Sequence, residues 1–512
     1  SMRYMFNNCS SLTDSGVLNM MINGESDLSY MFNNCTSLFY FDINKKIYYL
    51  SSHSSITTNL QYMFNNCINL EKVDFSNFQI ELKANFKGLF NNCISLKSVN
   101  FYQFKLPNAI DLSYMFRNCT ALTSVDLNSL NNINQYNTIE GMFYNCYNLL
   151  SVNLMHFDTS KTTNMKLLFY NCSKLTSLNL YNLKTSLVTD MNGMFSNCIL
   201  LKSLNLSFFD TKSVIDMSSM FHNCSKIRIL SLNNFDTSSV KRMDSMFKNC
   251  NDLVYLYVTN FQTESVESMA SMFENCFNME ILDISNFDTA SVTDMSSMFG
   301  NCIGMQYINI KDFSDTNLKE YNDMFDNTAG NLAFCIEEKK EYDSIVLNIL
   351  NQKVCAINTC EIEWRDSQKI INSDGDKCVD KCLENEVLKY QFKSKCYDKC
   401  PNNTFLANEE EFKCEHLCSE TSPFYSRFYS ICLDECSPYS FFNKQCSINN
   451  PLLSIQEMMT LQIEDDLLSN FEFNSYILIQ VYKNNENLII TTNEQNLPME
   501  FTGYGSSITH EH

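Results

Sequence analysis

Residues 272–302 read MFENCFNMEILDISNFDTASVTDMSSMFGNC, a stretch that opens and closes on the same phrase, Met-Phe-x-Asn-Cys. With Met or Leu in first place, the phrase recurs with its cysteine at Cys9, Cys35, Cys67, Cys93, Cys119, Cys146, Cys172, Cys198, Cys224, Cys250, Cys276 and Cys302. A thirteenth copy, MFDNT, carries Thr328 in the cysteine's place. Successive copies lie 26 residues apart, except for intervals of 32 before Cys67 and 27 before Cys146. A unit this short cannot close a core alone, so the copies must stack and bury a continuous interior between neighbours.

Within a unit the apolar spacing changes period. In DMSSMFHNC, Met217, Met220, Phe221 and Cys224 fall at i, i+3, i+4 and i+7, which predicts a short helical turn with one apolar face. After the cysteine the pattern is Cys-x-x-Leu-x-x-Leu-x-Leu, as in Cys172, Leu175, Leu178 and Leu180, and its last two positions alternate as a short strand would. Phe209, Phe235, Phe261 and Phe287 then turn inward, and Val214, Val240, Val266 and Val292 lead back to the next helical turn.

This wording, Cys-x-x-Leu-x-x-Leu-x-Leu followed by NFDTSxVTDMSSMFxNC, resembles the leucine-rich repeats of BspA-like surface proteins over residues 1 to about 328. The resemblance implies an α/β fold: a right-handed, curved solenoid with short parallel strands on its concave face. It also implies a surface or secreted protein linked to adhesion, without enzymatic activity, and with the Asn-, Phe- and Tyr-rich composition it points to a protist source.

Beyond the repeats the cysteines follow another rule. Twelve of the 24 lie at Cys335, Cys355, Cys360, Cys378, Cys382, Cys396, Cys400, Cys414, Cys418, Cys432, Cys436 and Cys446. Cys360, Cys378, Cys396, Cys414 and Cys432 are 18 residues apart, and four of them open a Cys-x-x-x-Cys pair. Zinc sites prefer tighter pairs with histidine partners, and His416 is the one histidine in that stretch. A disulfide-stapled, mostly irregular or β rod formed in an oxidising compartment is the expectation, with its connectivity open. The pattern resembles the stalks of protist surface proteins. The twelve ladder cysteines read instead as free, buried thiols that pack as small hydrophobes, although bridging between rungs is geometrically open.

The chain thus reads as a solenoid over 1–328, a capping segment over 329–377, a Cys-x-x-x-Cys stalk over 378–446 and part of a further α+β domain over 447–512. In that last segment PLLSIQEMMTLQIEDDLLSNF looks helical, and YILIQVY and LIITT look like a hairpin around KNNEN. Net charge is −21; residues 330–512 hold 29 acidic and 15 basic side chains, a balance of −14 that leaves −7 for the repeats. No basic stripe stands out, so nucleic acid is not expected as a partner. Membrane attachment is expected only through segments outside this chain, which opens inside a repeat and reads as a piece of a longer secreted or anchored protein.

Three recurrent polar features invite functional readings. The asparagine before each cysteine forms sequons at Asn8, Asn34, Asn118, Asn171 and Asn223, yet it recurs where no sequon exists, as at Asn197. A ladder whose amides serve the backbone is the simpler reading, and Asn402 is the better glycan candidate. Asp158, Asp210, Asp236 and Asp288, with Asp190, Asp216 and Asp294, cap turns more simply than they bind calcium, because Lys184, Gln262 and Arg242 interrupt their columns. The six histidines show no nucleophile or metal spacing, so no catalytic residue, metal or cofactor is expected.

The strand phrase leaves two outward columns, mostly Ser, Asn and Asp. Near the C-terminal end of the repeats these columns carry Ile229, Tyr255, Tyr257, Ile281 and Tyr307. Large apolar and tyrosine side chains on a polar face predict an exposed patch that binds a protein or glycan ligand. The function expected is extracellular or cell-surface recognition and adhesion. The alternative is a structural subunit that self-associates through solenoid ends or edges into a filament or coat.

Overall fold

The structure, a computed structural model, describes residues 1–335 apart from 14–26, 43–56, 77–82, 103–107, 131–136, 311 and 330–331. Beyond 335 it describes one helix, a series of strands and a few adjoining residues. Two compact units are present, Ser1–Lys369 and Ile370–His512.

The first unit is a parallel β-solenoid, and each rung adds to three columns. Three-residue strands form the first column, at the x-Leu-x positions. Tyr40–Asp42, Lys72–Asp74 and Ser98–Asn100 pair in parallel and in register, as do Ser124–Asp126 with Ser151–Asn153 and Ile229–Ser231 with Tyr255–Tyr257. Ile281–Asp283, Tyr307–Asn309, Ala333–Cys335 and Ile357–Asn358 make a fourth group. A second column runs through Thr57–Asn59, Lys83–Asn85 and Asn108–Asp111 and continues as single parallel bridges from Thr138 to Glu320.

The third column replaces the expected helical turn. Met217, Met220, Phe221 and Cys224 are buried as their spacing predicts, but the segment is a run of turns. Met220, His222 and Cys224 donate their N–H groups to the carbonyls of Met217, Ser219 and Phe221 three residues back. The intervening Ser219, Phe221 and Asn223 donate to Asp244, Met246 and Lys248 of the next rung at 2.7–2.9 Å. Ser219 and Asn223 sit at φ +56° and +57°, in the left-handed region that a continuous α-helix excludes. A helix would satisfy its backbone within one rung, whereas this stretch satisfies half of it in the next. Among the described residues the one α-helix is Ile345–Leu350, so the α/β expectation gives way to a β-solenoid.

The recurring side chains lock these columns together. Phe143, Phe169, Phe195, Phe221, Phe247, Phe273 and Phe299 stack ring on ring at 5.5–6.0 Å. The phenylalanine of the FDT phrase forms a second stack through Phe209, Phe235, Phe261 and Phe287. The threonine of that phrase is buried: Thr237 donates its hydroxyl to the Gln262 carbonyl and accepts the Gln262 N–H in return. The same exchange joins Thr185 to Asp210. Each bridge satisfies two backbone groups that would otherwise cost on the order of 1–3 kcal/mol apiece when buried.

In the second unit the described strands are hairpins: Tyr390–Phe392 with Lys395–Tyr397, Thr404–Asn408 with Lys413–His416, Phe424–Ser426 with Ile431–Leu433, and Ser440–Phe442 with Gln445–Ser447. Two disulfides, Cys382–Cys396 and Cys400–Cys414, join the closing cysteine of one Cys-x-x-x-Cys pair to the opening cysteine of the next, at Cα separations of 5.4 and 5.7 Å. Cys335 of the first unit is also disulfide-bonded. The side chains of Cys355, Cys360, Cys378, Cys418, Cys432, Cys436 and Cys446 lie outside the described residues. The hairpin read in 447–512 forms between Ile477–Asn484 and Asn487–Thr492. Of the segment read as a helix before it, 451–468 lies outside the described residues and the last three residues belong to the strand Ser469–Phe473.

Candidate recognition face

The repeated polar groups are occupied with scaffold. Every ladder asparagine from Asn8 to Asn327 has positive φ, between 52° and 62°, a conformation asparagine tolerates better than other side-chain-bearing residues. Their amides bond mostly to one another and not, as expected, to backbone; the Asn197 amide donates instead to the Ser196 hydroxyl and interrupts the chain. Asn34 donates to Asn8, Asn66 to Asn34, and so on through Asn171, and Asn275, Asn301 and Asn327 continue the chain at 2.7–2.9 Å. The sequon amides of Asn34, Asn118, Asn171 and Asn223 are among these donors. Asn402 lies outside the described residues.

Ladder cysteines are free thiols, all buried except the half-buried Cys9. They are more than small hydrophobes, because each Sγ from Cys35 to Cys302 lies 3.0–3.2 Å from the phenylalanine carbonyl of the preceding rung. That carbonyl already accepts its own rung's cysteine N–H, as Phe221 does from Cys224. Burial pushes the thiols of Cys198, Cys250 and Cys302 up to about 12. Thr328 donates instead to Phe325 within its own rung.

The FDT and TDM carboxylates cap turns. Asp236 accepts the Ser238 N–H and hydroxyl, and Asp216 accepts those of Ser218. Among the described residues no group of three or more His, Cys, Asp or Glu side chains converges as a metal would require.

What is left for recognition is the strand column, and there the sequence reading needs correction. Register brings Ile229 beside Tyr255 and Ile281 beside Tyr307 as expected. Tyr255 and Tyr307, however, are only 8 % and 3 % exposed. Tyr307 packs on Ile281 and the disulfide-bonded Cys335, and burial raises its hydroxyl to about 12. Ile229, Tyr257 and Ile281 are half-buried. The five residues therefore do not form one open patch: Tyr255 and Tyr307 are buried, and Tyr307 is covered by Ile281 and Cys335.

The more open apolar surface lies earlier. No strand pairing joins the rungs at Ser151–Asn153 and Ile229–Ser231 to the two between them, at 177–179 and 203–205. In those two rungs Leu178 and Leu204 are only partly buried. The strand column thus loses its regular ladder at these two rungs, which stay joined by the Lys202 N–H to the Thr176 carbonyl at 3.1 Å. Along its margin Met155, Tyr181 and Phe208 are 59 %, 58 % and 46 % exposed, and the Tyr181 and Phe208 rings meet edge-on at 4.4 Å. Sequence reading missed this ridge because its residues fall just past the strand, outside the columns that alternation singles out. Met155 and Tyr181, in a column that is mostly Ser, Asn and Thr, with Phe208 one residue past its Ser207, were the signal that could have found it.

Thirteen stacked rungs, whose parallel strands turn a Val, Leu, Ile or Phe inward, define a solenoid of leucine-rich-repeat character. The family profile described as "Mycoplasma protein of unknown function, DUF285" matches residues 1–132, 137–254 and 222–334, and the chain belongs to that family. No curated protein matches it. Among solved structures, the Toll–Spatzle complex of Drosophila is similar at 14 % identity, a TM-score of 0.22, 64 % coverage of this chain and 40 % of that one. The TLR13–ssRNA13 complex gives 16 %, 0.23, 57 % and 49 %. A leucine-rich repeat protein from Eubacterium ventriosum gives 12 %, 0.25, 60 % and 86 %. The chain spans less than half the length of the first two, and scores this low carry nothing about ligand or role.

Proposed function

We propose that this is an extracellular or cell-surface recognition or adhesion protein whose solenoid binds a protein or glycan ligand through its strand face. On this reading residues 1–328 are the recognition head, 329–377 its cap, 378–446 a disulfide-stapled stalk and 447–512 part of a further domain. One observation carries the reading: inside the rungs the same side chains recur in the same bonds, whereas the outward strand positions vary from Asp and Ser to Ile and Tyr. A scaffold held constant under a varied surface is how solenoids build binding faces. The disulfides Cys382–Cys396 and Cys400–Cys414 support an oxidising compartment.

The test is saturable binding of the fluorescently labelled full chain to cultured cells and cell-derived matrix, compared with a chain carrying Ile229→Ser, Tyr257→Ser and Ile281→Ser. These half-buried positions leave the buried Tyr255 and Tyr307 in place. At least tenfold weaker binding by the variant, with a single cooperative melting transition retained, is expected. Absence of saturable binding, together with regular end-to-end assemblies in electron micrographs, would replace this reading with the filament alternative.

A further inference from the structure

We infer that the middle of the strand face is a site for an anionic polysaccharide, a ligand class that narrows the recognition reading above and rests on it. The argument starts from charge. The chain carries −21 overall, yet the strand-side segments 147–155, 173–181, 199–207 and 225–233 contain no Asp or Glu. The rungs on either side do: Asp126 lies before this window, and Asp252, Glu280 and Asp283 lie after it. Within the window stand Lys174, Lys202, Lys226 and Arg228. Lys226 is engaged by Asp252 of the next rung at 2.8 Å. Lys174 and Lys202 are exposed and Arg228 is half-buried, and Lys202 and Arg228 also have interactions within the protein. A local positive field in a strongly acidic protein draws anions to that place and away from the rest of the surface.

Placement adds a second argument. Lys202 and Arg228 are equivalent residues of successive rungs, and each directly precedes its strand position. On the far side of the strand positions 151–153, 177–179 and 203–205 run Met155, Tyr181 and Phe208, all exposed, with the Tyr181 and Phe208 rings in contact across rungs. Between the two margins lie Ser177, Asn179, Ser203 and Asn205, all exposed. Asn179 and Asn205 each spend one oxygen on the N–H two residues on, at 3.2 and 3.0 Å. At about 3.3 Å per residue the six steps from Lys202 to Phe208 span at most roughly 20 Å. Cations on one margin, small hydroxyls and amides in the middle and an aromatic ridge on the other margin suit a polymer of hydroxyl-rich rings bearing carboxylates or sulfates, whose apolar ring faces rest on Tyr181 and Phe208. A nucleic acid would need a basic stripe along many rungs, and the acidic rungs on both sides interrupt any such stripe. An acidic peptide offers no ring face to the Tyr181–Phe208 ridge, and the poly-glutamate comparison below separates it from a polysaccharide.

The test uses the full chain on immobilised heparin (sulfate and carboxylate) and polygalacturonate (carboxylate alone), with neutral dextran as control. Retention on at least one of the first two and not on dextran is expected, weakening as salt rises. Lys174→Ser combined with Lys202→Ser should weaken it about tenfold and flatten the salt dependence, while Tyr181→Ser combined with Phe208→Ser should weaken it about fivefold at the same salt slope. All four side chains are exposed, and a melting temperature within the error of the parent excludes misfolding. No retention, retention indifferent to both pairs, or tighter binding of poly-glutamate or a single-stranded oligonucleotide would overturn the inference. Cell binding that persists without polysaccharide retention would overturn it alone and leave the recognition reading standing.

Discussion

The two units use the same element in opposite ways. In the first, eleven buried cysteines hold their rungs as protonated donors to backbone carbonyls. In the second, described cysteines hold hairpins as covalent bridges. The difference follows from neighbours. A stacked rung can pass its unsatisfied carbonyls and N–H groups to the next rung, so a weak donor at each step suffices. Short hairpins have little apolar interior, and such units depend on constraints applied to the unfolded chain. One chain can therefore be broken in two places by two different chemistries.

Alkali should give the largest separation. A free thiol titrates near 8.5 in an unfolded chain, whereas burial holds Cys198, Cys250 and Cys302 protonated up to about 12 and raises the other buried thiols too. Below the unfolded value both states bind the proton and the thiols are neutral in their effect. Above it the unfolded state loses protons that the folded state keeps, so stability falls as pH rises towards the folded values. Each fully buried thiol then costs on the order of 1 kcal/mol per pH unit. The solenoid should melt cooperatively as pH climbs from about 9 to 11, read as loss of ellipticity with concurrent labelling of the ladder thiols. An unchanged melting temperature over that range would show that the thiols are not buried as donors.

Reduction should act on the other unit. Loss of a native disulfide from a small domain typically costs about 2–5 kcal/mol, so a phosphine reductant at neutral pH should open residues 378–446 to protease within minutes while the repeat region stays resistant. The 18-residue period extends the observed pairing to Cys418 with Cys432, which peptide mapping of the unreduced chain checks. Equal protease sensitivity of both regions after reduction would erase the contrast.

How far the sequence could lead is visible in the same two places. The 26-residue period, the buried Met, Phe and Cys positions and the in-register strand column were all legible, because stacking identical units leaves their spacing no freedom. The helical turn was misread because i, i+3, i+4, i+7 spacing reports which side chains face inward. It does not report where the N–H groups go, and only the positive φ at Ser219 and Asn223 distinguishes turns that bond to the next rung from a helix that bonds to itself. The threonine bridges hid for a related reason: a buried hydroxyl serving two rungs is invisible until the rungs are side by side. Register pairs Ile229 with Tyr255 and Ile281 with Tyr307 as the alternation implies, but exposure was misjudged, since whether Tyr255 and Tyr307 are covered depends on neighbours in adjoining rungs and on Cys335. The disulfide order could not be read at all, because spacing alone permits many pairings.

The smallest effect expected divides the asparagine ladder into its parts. Asn275 sits at φ +62°, donates its amide to Asn249 and accepts the amide of Asn301. Asn275→Gly removes both side-chain bonds and keeps a backbone comfortable at positive φ, so it should cost about 1 kcal/mol, the net value of one or two partly exposed hydrogen bonds. Asn275→Ala removes the same bonds and adds the steric penalty of a Cβ in the left-handed region, a further 1 kcal/mol or so. Chemical denaturation of the two variants measures the difference. If alanine and glycine are equally destabilising, the ladder is held by its amides alone and the left-handed backbone is incidental. If glycine matches the parent, the amide chain contributes nothing, and asparagine recurs in every rung only for the conformation it permits.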